Sequence, residues 1–198
     1  MGDAPRELVL IRHGETEWTI TGQHTGRTDI PLTAAGNHEA KLLASRLAGR
    51  RFATVLTSPL QRAADTCRLA GFGDVAEITE DLLEWDYGDY EAMTTAQIRE
   101  VRPTWTLWND GVPRGEDARR VGQRVDRVLQ RIRASDGNAL LFAHGHVLRV
   151  LAARWLGLAP SKGRLFALRP ATLSVLGYER ETPVIRTWGD DHHLRPAD

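Results

Sequence analysis

The 198-residue chain has a single cysteine, Cys67, so no intrachain disulfide framework is open to it. Cys67 lies in a helical pattern with Ala63, Ala64 and Leu69 and reads as a small packed residue rather than a nucleophile. Neither charge is in excess: Lys+Arg and Asp+Glu both number 26, and the formal net charge is zero. A general binder of nucleic acid or of an anionic membrane surface needs a basic excess. Nucleic acid and membrane are therefore set aside as partners. No apolar run approaches the roughly 20 residues of a membrane span, and residues 1–7 lack the basic-then-apolar pattern of a signal peptide. The expected location is the cytoplasm. No repeat, low-complexity segment or long linker divides the chain, so one domain over residues 1–198 is expected. That length buries a sizeable core, and a hydrophobic fraction of 41% with 26% charged residues is ordinary for a globular protein.

Strand and helix patterns alternate through most of the sequence. This predicts a three-layer α/β/α sandwich around a mostly parallel central sheet. Leu8-Val9-Leu10-Ile11 and Ala139-Leu140-Leu141-Phe142-Ala143 are apolar runs of the kind buried in such a sheet. Thr54-Val55-Leu56-Thr57 is a third strand, and residues 75–78, 165–168, 173–178 and 184–187 are expected as short ones. The polar stretch 15–32 reads as a loop. Thr33 reads as the N-cap of a helix that turns Leu42, Leu43 and Leu47 inward and ends near Gly49. Ser58-Pro59 is expected to open another helix, with serine as cap and proline at its first position. A long helix over 117–134 presents Val121, Val125, Val128, Leu129 and Ile132 on one face. Residues 82–115 have weaker periodicity and three tryptophans. A cap-like insertion at about 85–116 is expected over one sheet edge, where loops often select substrate.

The chemistry gathers at strand ends. The first strand runs into Arg12-His13-Gly14, and the strand of Ala139–Ala143 runs into His144-Gly145-His146. In an open α/β sheet the carboxyl edge is where ligands bind. Ser58-Pro59-Leu60-Gln61-Arg62 brings an arginine into the first turn of a helix after another strand, where free N–H groups and the helix dipole favour anions. Glu84, in Leu82-Leu83-Glu84-Trp85-Asp86-Tyr87-Gly88, is the carboxylate candidate.

These motifs, in this order, resemble the histidine phosphatase superfamily, with its phosphoglycerate-mutase-like fold. The matches are Arg12-His13-Gly14-Glu15-Thr16, His24-Thr25-Gly26 with Asp29 and Leu32-Thr33, Ser58-Pro59 with Arg62, Glu84 with Tyr87-Gly88, and Ala143-His144-Gly145. They span nearly the whole chain, and Trp188-Gly189-Asp190 with His193-Leu194 resembles a closing segment seen in some members. The resemblance implies that His13 is a nucleophile forming a phosphohistidine, its other ring nitrogen holding its proton on a backbone carbonyl. It implies that Arg12 and Arg62 grip the phosphoryl oxygens with their planar forks. His144, protonated, would add a third positive charge, and Glu84 would serve the leaving oxygen as acid and the attacking water as base. Thr19, Thr25, Gly26, Tyr87 and His146 are expected around the substrate. His146 either orients the substrate or caps the helix that follows. No cofactor or metal is required by this scheme. Family members are often dimers, so a homodimer is the assembly to look for, although no patch in the sequence demonstrates one.

The superfamily contains mutases and phosphatases. Mutases carry a longer insertion between the acid and the second histidine, with paired arginines and a lysine that hold the substrate's remaining charges. In this chain that insertion is short and the matching Met93-Thr94-Thr95-Ala96-Gln97-Ile98 has no lysine. The segment 103–115 has no adjacent arginines, which appear after it only at Arg119-Arg120, and Thr19 stands where mutases carry asparagine. Hydrolysis of a small phosphorylated metabolite, a sugar phosphate, is the expectation, with mutase-type transfer or a non-catalytic binding module as alternatives. The sequence around Glu84, Trp108 and His144 resembles the acid phosphatase and sugar-bisphosphate phosphatase branch. Arg149 reads as a helix residue paired with a nearby acid, and Trp105 and Trp108 as packing. Asp190-Asp191-His192-His193 reads as a solvated tail rather than a metal site.

Overall fold

In the computed structural model, which describes residues 6–195, six strands form one sheet in the order β3-β2-β4-β1-β5-β6. Of the reading made for the N-terminus, residues 1–5 lie outside the described residues. The strands are β1 (Leu8–Arg12), β2 (Thr54–Thr57), β3 (Glu77–Ile78), β4 (Ala139–Ala143), β5 (Leu173–Glu179) and β6 (Thr182–Asp190). β1, β4, β2 and β3 run parallel, while β5 runs antiparallel beside β1 and β6 antiparallel beside β5.

The fully apolar runs of β1 and β4 follow from their place in the middle of the sheet, where both faces are covered. Leu8 and Leu10 of β1 join Leu141 of β4 in a core under the long helix α6 (Ala118–Ala134) and α7 (Gly145–Trp155). Val9 and Ile11 join Leu140 and Phe142 on the opposite face. That face is covered by α2 (Ala34–Leu47), through Leu43 and Leu47, and by α3 (Gln61–Leu69), through Cys67. Three layers result, as expected, and each such aliphatic side chain contributes about 1.5–3 kcal/mol by leaving water.

Local signals hold at most helix ends. Thr33 caps α2 by accepting from Gly36 N–H, and Asp117 caps α6 by accepting from Arg120 N–H. No helix is long and apolar enough to cross a membrane among the described residues.

Four expectations are corrected. The stretch 15–32 is not wholly loop: Thr16 and Thr19 form a reciprocal capping box that starts α1 (Glu17–Thr21). α3 begins at Gln61, not at Ser58-Pro59, because the Ser58 hydroxyl is taken by His144 (2.8 Å). The Gln61 N–H is capped instead by Asp29 from a distant loop (2.8 Å). Residues 165–168 form no strand, since the Leu168 carbonyl accepts from Arg12 and the Ala167 carbonyl from the Trp188 indole. Of residues 75–78 only Glu77 and Ile78 pair, with Leu56 and Thr57, and Val75 is exposed.

Between Glu84 and α6 the chain forms α4 (Thr95–Val101), α5 (Leu107–Asp110) and a 3-10 turn at Gly88–Tyr90. These pieces are too short for strong periodicity. Their Trp85, Tyr90, Ile98 and Trp105 are nonetheless buried in the core shared with α6 and α7.

Candidate active site

Adjacent strands β1, β4 and β2 end together, in the register Arg12 beside Ala143 and Thr57 beside Phe142. That shared edge delivers Arg12-His13, His144 and Ser58 to one place. Directly after β1, His13 is buried and its Nδ1 lies 2.8 Å from the Gly14 carbonyl. A carbonyl only accepts, so Nδ1 carries the proton and Nε2 keeps its lone pair for the cavity that His13 lines. Burial, with the charges of Arg62 and Arg12 behind it, pushes the His13 pKa well below the usual histidine range. The ring is therefore neutral around pH 7. Gly14 is required by contact: a Cβ there would stand 2.5 Å from the Gly36 carbonyl oxygen. The turn carrying His13 thus packs directly on the first turn of α2.

The other histidine is held differently. The Arg62 guanidinium donates from Nε to His144 Nδ1 (3.1 Å), and His144 Nε2 meets Ser58 Oγ (2.8 Å). A guanidinium only donates, so Nδ1 bears the lone pair and Nε2 the proton. Burial and the charge of Arg62 both drive the His144 pKa well below its ordinary value. The third positive charge expected at His144 is therefore absent: the ring is a neutral relay between Arg62 and Ser58. Arg62 is likewise not a free fork. Its Nη1 donates to the Thr28 carbonyl (3.0 Å) and its Nη2 to those of Thr25 (3.1 Å) and Gly26 (2.9 Å). It fastens the 25–28 loop beneath the site and leaves one N–H without a bond.

Glu84 occupies the N-terminus of α7. Its Oε1 accepts from the Trp85 and Val147 N–H groups (2.8 and 2.9 Å), and its Oε2 from His146 N–H (2.9 Å). The helix thus receives its cap from a carboxylate across the site, and neither His144 nor His146 supplies it. Arg124 of α6, nearly buried, holds the Glu84 turn by donating to the carbonyls of Asp81, Leu83 and Glu84 while paired with Glu116. This supporting arginine carries no motif, and only its contacts reveal it.

Arg12, His13, Glu84, Tyr87 and His146 line one cavity of about 190 Å³, with Trp18, Thr19, His24, Thr25 and Arg149. Arg62 and His144 lie behind His13, outside its wall. The Tyr87 hydroxyl bonds His146 Nδ1 (2.6 Å), and the Tyr87 ring stacks on His24 with centroids 4.7 Å apart. Burial, then the charge of Glu84, raises the Tyr87 hydroxyl well above its usual pKa. Burial lowers His146 well below its own and takes His24 down to about 4. Gly26 is buried and gives its N–H to Glu91 (2.8 Å) and its carbonyl to Arg62, so it shapes the loop. Thr19 lines the cavity, but its hydroxyl donates to the Thr16 carbonyl (2.7 Å) and serves the α1 cap. Among the described residues Arg149 pairs with no acid. It enters the cavity wall, a position legible in its spacing of three residues from His146 on one helix.

A wider groove of about 600 Å³ adjoins the site, and its Arg169 and Arg195 are both bonded to Asp191. The 190–193 segment is no solvated tail: Asp190 pairs with Arg46, and His193 Nε2 meets the Ala171 carbonyl (2.9 Å). Among the described residues, no group of three or more His, Cys, Asp or Glu side chains is gathered to hold a metal ion.

A parallel sheet whose carboxyl edge holds a neutral histidine between guanidinium groups, facing a carboxylate, is the frame of a phosphoryl-transfer enzyme. The chain belongs to the histidine phosphatase superfamily (branch 1), whose model matches residues 8–191. It is a phosphatase, acting on a small phosphorylated substrate. It is 38% identical to an acid phosphatase of Mycobacterium tuberculosis over 99% of this chain and 98% of that protein. It is 37% identical to a sedoheptulose 1,7-bisphosphatase of Saccharomyces cerevisiae over 78% of this chain and 69% of the relative. A solved structure of an open reading frame product from Mycobacterium tuberculosis superposes with a TM-score of 0.88 at 37% identity, over 93% of this chain and 97% of that one.

Proposed function

We propose that the protein hydrolyses a sugar phosphate or a closely related metabolite through a phosphohistidine on His13. The observation that carries this reading is the fixed tautomer: Nδ1–H is tied to Gly14, so Nε2 is the atom able to attack. In the first step Nε2 forms a bond to phosphorus as the ester P–O bond breaks, and Glu84 gives a proton to the leaving oxygen. In the second, Glu84 takes a proton from water, the water oxygen bonds to phosphorus, and the P–N bond breaks to release phosphate. Arg12 faces the charge that develops on the phosphoryl oxygens. Arg62 acts from behind, adding charge and, through His144 and Ser58, holding the floor of the site.

The bisphosphatase named among the relatives supports the sugar-phosphate assignment. We read residues 1–198 as one domain, with 85–116 as the segment that selects substrate, working in the cytoplasm without a metal. Wild-type protein is expected to release phosphate from sugar phosphates in excess EDTA. It should also form an acid-labile, base-stable phosphoenzyme during turnover. His13→Ala should do neither. Phosphate release by His13→Ala at the wild-type rate would refute the mechanism.

A further inference from the structure

The phosphoryl step has no use for one cation in this cavity. Arg149 lies one helical turn beyond His146 on α7, and its guanidinium stands 4.7 Å from the centroid of the Trp108 ring. Nε donates to the Gly163 carbonyl (3.2 Å) and Nη2 to that of Arg164 (3.3 Å). A guanidinium has five N–H donors, so three are left for the cavity that Arg149 lines. Among the described residues no carboxylate lies within ion-pair distance of it. Glu84, the acid whose charge bears on it, is engaged with backbone N–H groups.

The group is also held rigidly. Gly163 packs so closely that a Cβ there would stand 2.7 Å from the Trp108 ring and 3.0 Å from the Arg149 backbone. Indole stacking and two carbonyl bonds fix the plane of the fork, which lowers the entropy lost when it meets a planar or tetrahedral oxyanion. A half-buried arginine without an anionic partner is costly, and binding an anion removes that cost.

We infer that Arg149 selects substrates carrying a second anionic group, a phosphate or a carboxylate, held on the leaving-group side while the reacting phosphoryl group meets His13 and Arg12. The inference rests on the phosphatase reading above and sharpens its substrate class. Trp108 backs the guanidinium of this second subsite, and Glu84, which serves the leaving oxygen in the proposed reaction, lines the same cavity as Arg149. The loop between Glu84 and α6 supplies no lysine for this task, and α7 supplies the cation instead.

The experiment compares kcat/KM within two substrate pairs for wild type, Arg149→Ala and Arg149→Lys. One pair is fructose 1,6-bisphosphate against fructose 6-phosphate, and the other is 3-phosphoglycerate against glycerol 3-phosphate. Wild type is expected to favour the doubly anionic member of at least one pair. In Arg149→Ala that preference should fall about 10- to 100-fold, chiefly through KM, as for loss of a charge-assisted bidentate contact. Arg149→Lys should lie between the two, since it keeps the charge without the fork. The pair that responds identifies phosphate or carboxylate as the second group. A preference unchanged in both variants, or absent from wild type in both pairs, overturns the role of Arg149 while leaving the phosphatase reading intact. Failure of wild type to hydrolyse all four esters overturns both.

Discussion

Replacing Glu84 with glutamine separates the two steps of the proposed reaction, because only one of them depends on the leaving group. Glu84 Oε1 accepts from Trp85 and Val147 N–H and Oε2 from His146 N–H. Glutamine can keep its carbonyl oxygen toward Trp85 and Val147. Its amide nitrogen then faces the His146 N–H, donor against donor. One buried bond is lost, a cost of about 1–3 kcal/mol in stability, so the variant folds. The chemical loss is larger, since general acid–base catalysis contributes typically about 10²–10⁴-fold, or roughly 3–5 kcal/mol of barrier. With a sugar phosphate, the leaving alkoxide needs the proton, and Glu84→Gln should slow phosphoenzyme formation by that factor. With p-nitrophenyl phosphate the leaving phenolate needs none. Attack by His13 then proceeds, water attack stalls, and the phosphohistidine accumulates. Rapid-quench measurement should show a burst of nitrophenol near one equivalent per site, followed by a slow steady state. Equal slowing with both substrates and no burst would refute the assignment of Glu84 to both proton transfers.

Two further outcomes test the supporting structure. Arg62→Lys retains charge but cannot reach His144, Thr28, Thr25 and Gly26 together. Losing three of those four bonds should cost about 3 kcal/mol of unfolding free energy, read by urea denaturation, and lower kcat/KM at least about 100-fold. A variant as stable and active as wild type would show that the fork is not needed to bind the 25–28 loop to His144. For pH, His24 has its folded pKa depressed to about 4 from 6.5. The unfolded chain therefore binds more protons between those values, and stability falls as pH falls through that window. His24 alone should remove about 2 kcal/mol between pH 7 and pH 5, with His13, His144 and His146 acting in the same direction. Denaturation midpoints at both pH values, with His24→Asn shedding its share of the slope, check this. A slope of opposite sign would be fatal to it.

Much of the site was legible because each motif sits where a strand ends. The apolar runs at Leu8–Ile11 and Ala139–Ala143 read as central parallel strands because both of their faces are apolar, and the glycine after His13 is held by its close contact with Gly36. The capping residue Thr33 was equally readable, since a cap bonds only to the next turn. The structure departs from the local signal wherever a side chain leaves its local partner for a distant one. Ser58 is a good helix cap by type, yet it bonds His144, and Asp29 caps α3 in its place. Arg149 reads in sequence as a helix residue paired with a nearby acid, and Arg124 carries no motif; only the fold sets their neighbours.

The sequence by itself determined the parallel sheet, the positions of Arg12, His13, Arg62, Glu84 and His144, and the family they identify. These follow from period, punctuation and order along the chain, which are local properties. Only the tertiary structure decided which of these groups are charged and which are free to bind. His13 and His144 are both neutral, with protons on opposite ring nitrogens, because a carbonyl faces one and a guanidinium the other. Arg62 is spent on backbone carbonyls while Arg149 keeps three donors. Protonation and hydrogen-bond capacity depend on what burial brings within about 3 Å, and that proximity arises between residues far apart in sequence.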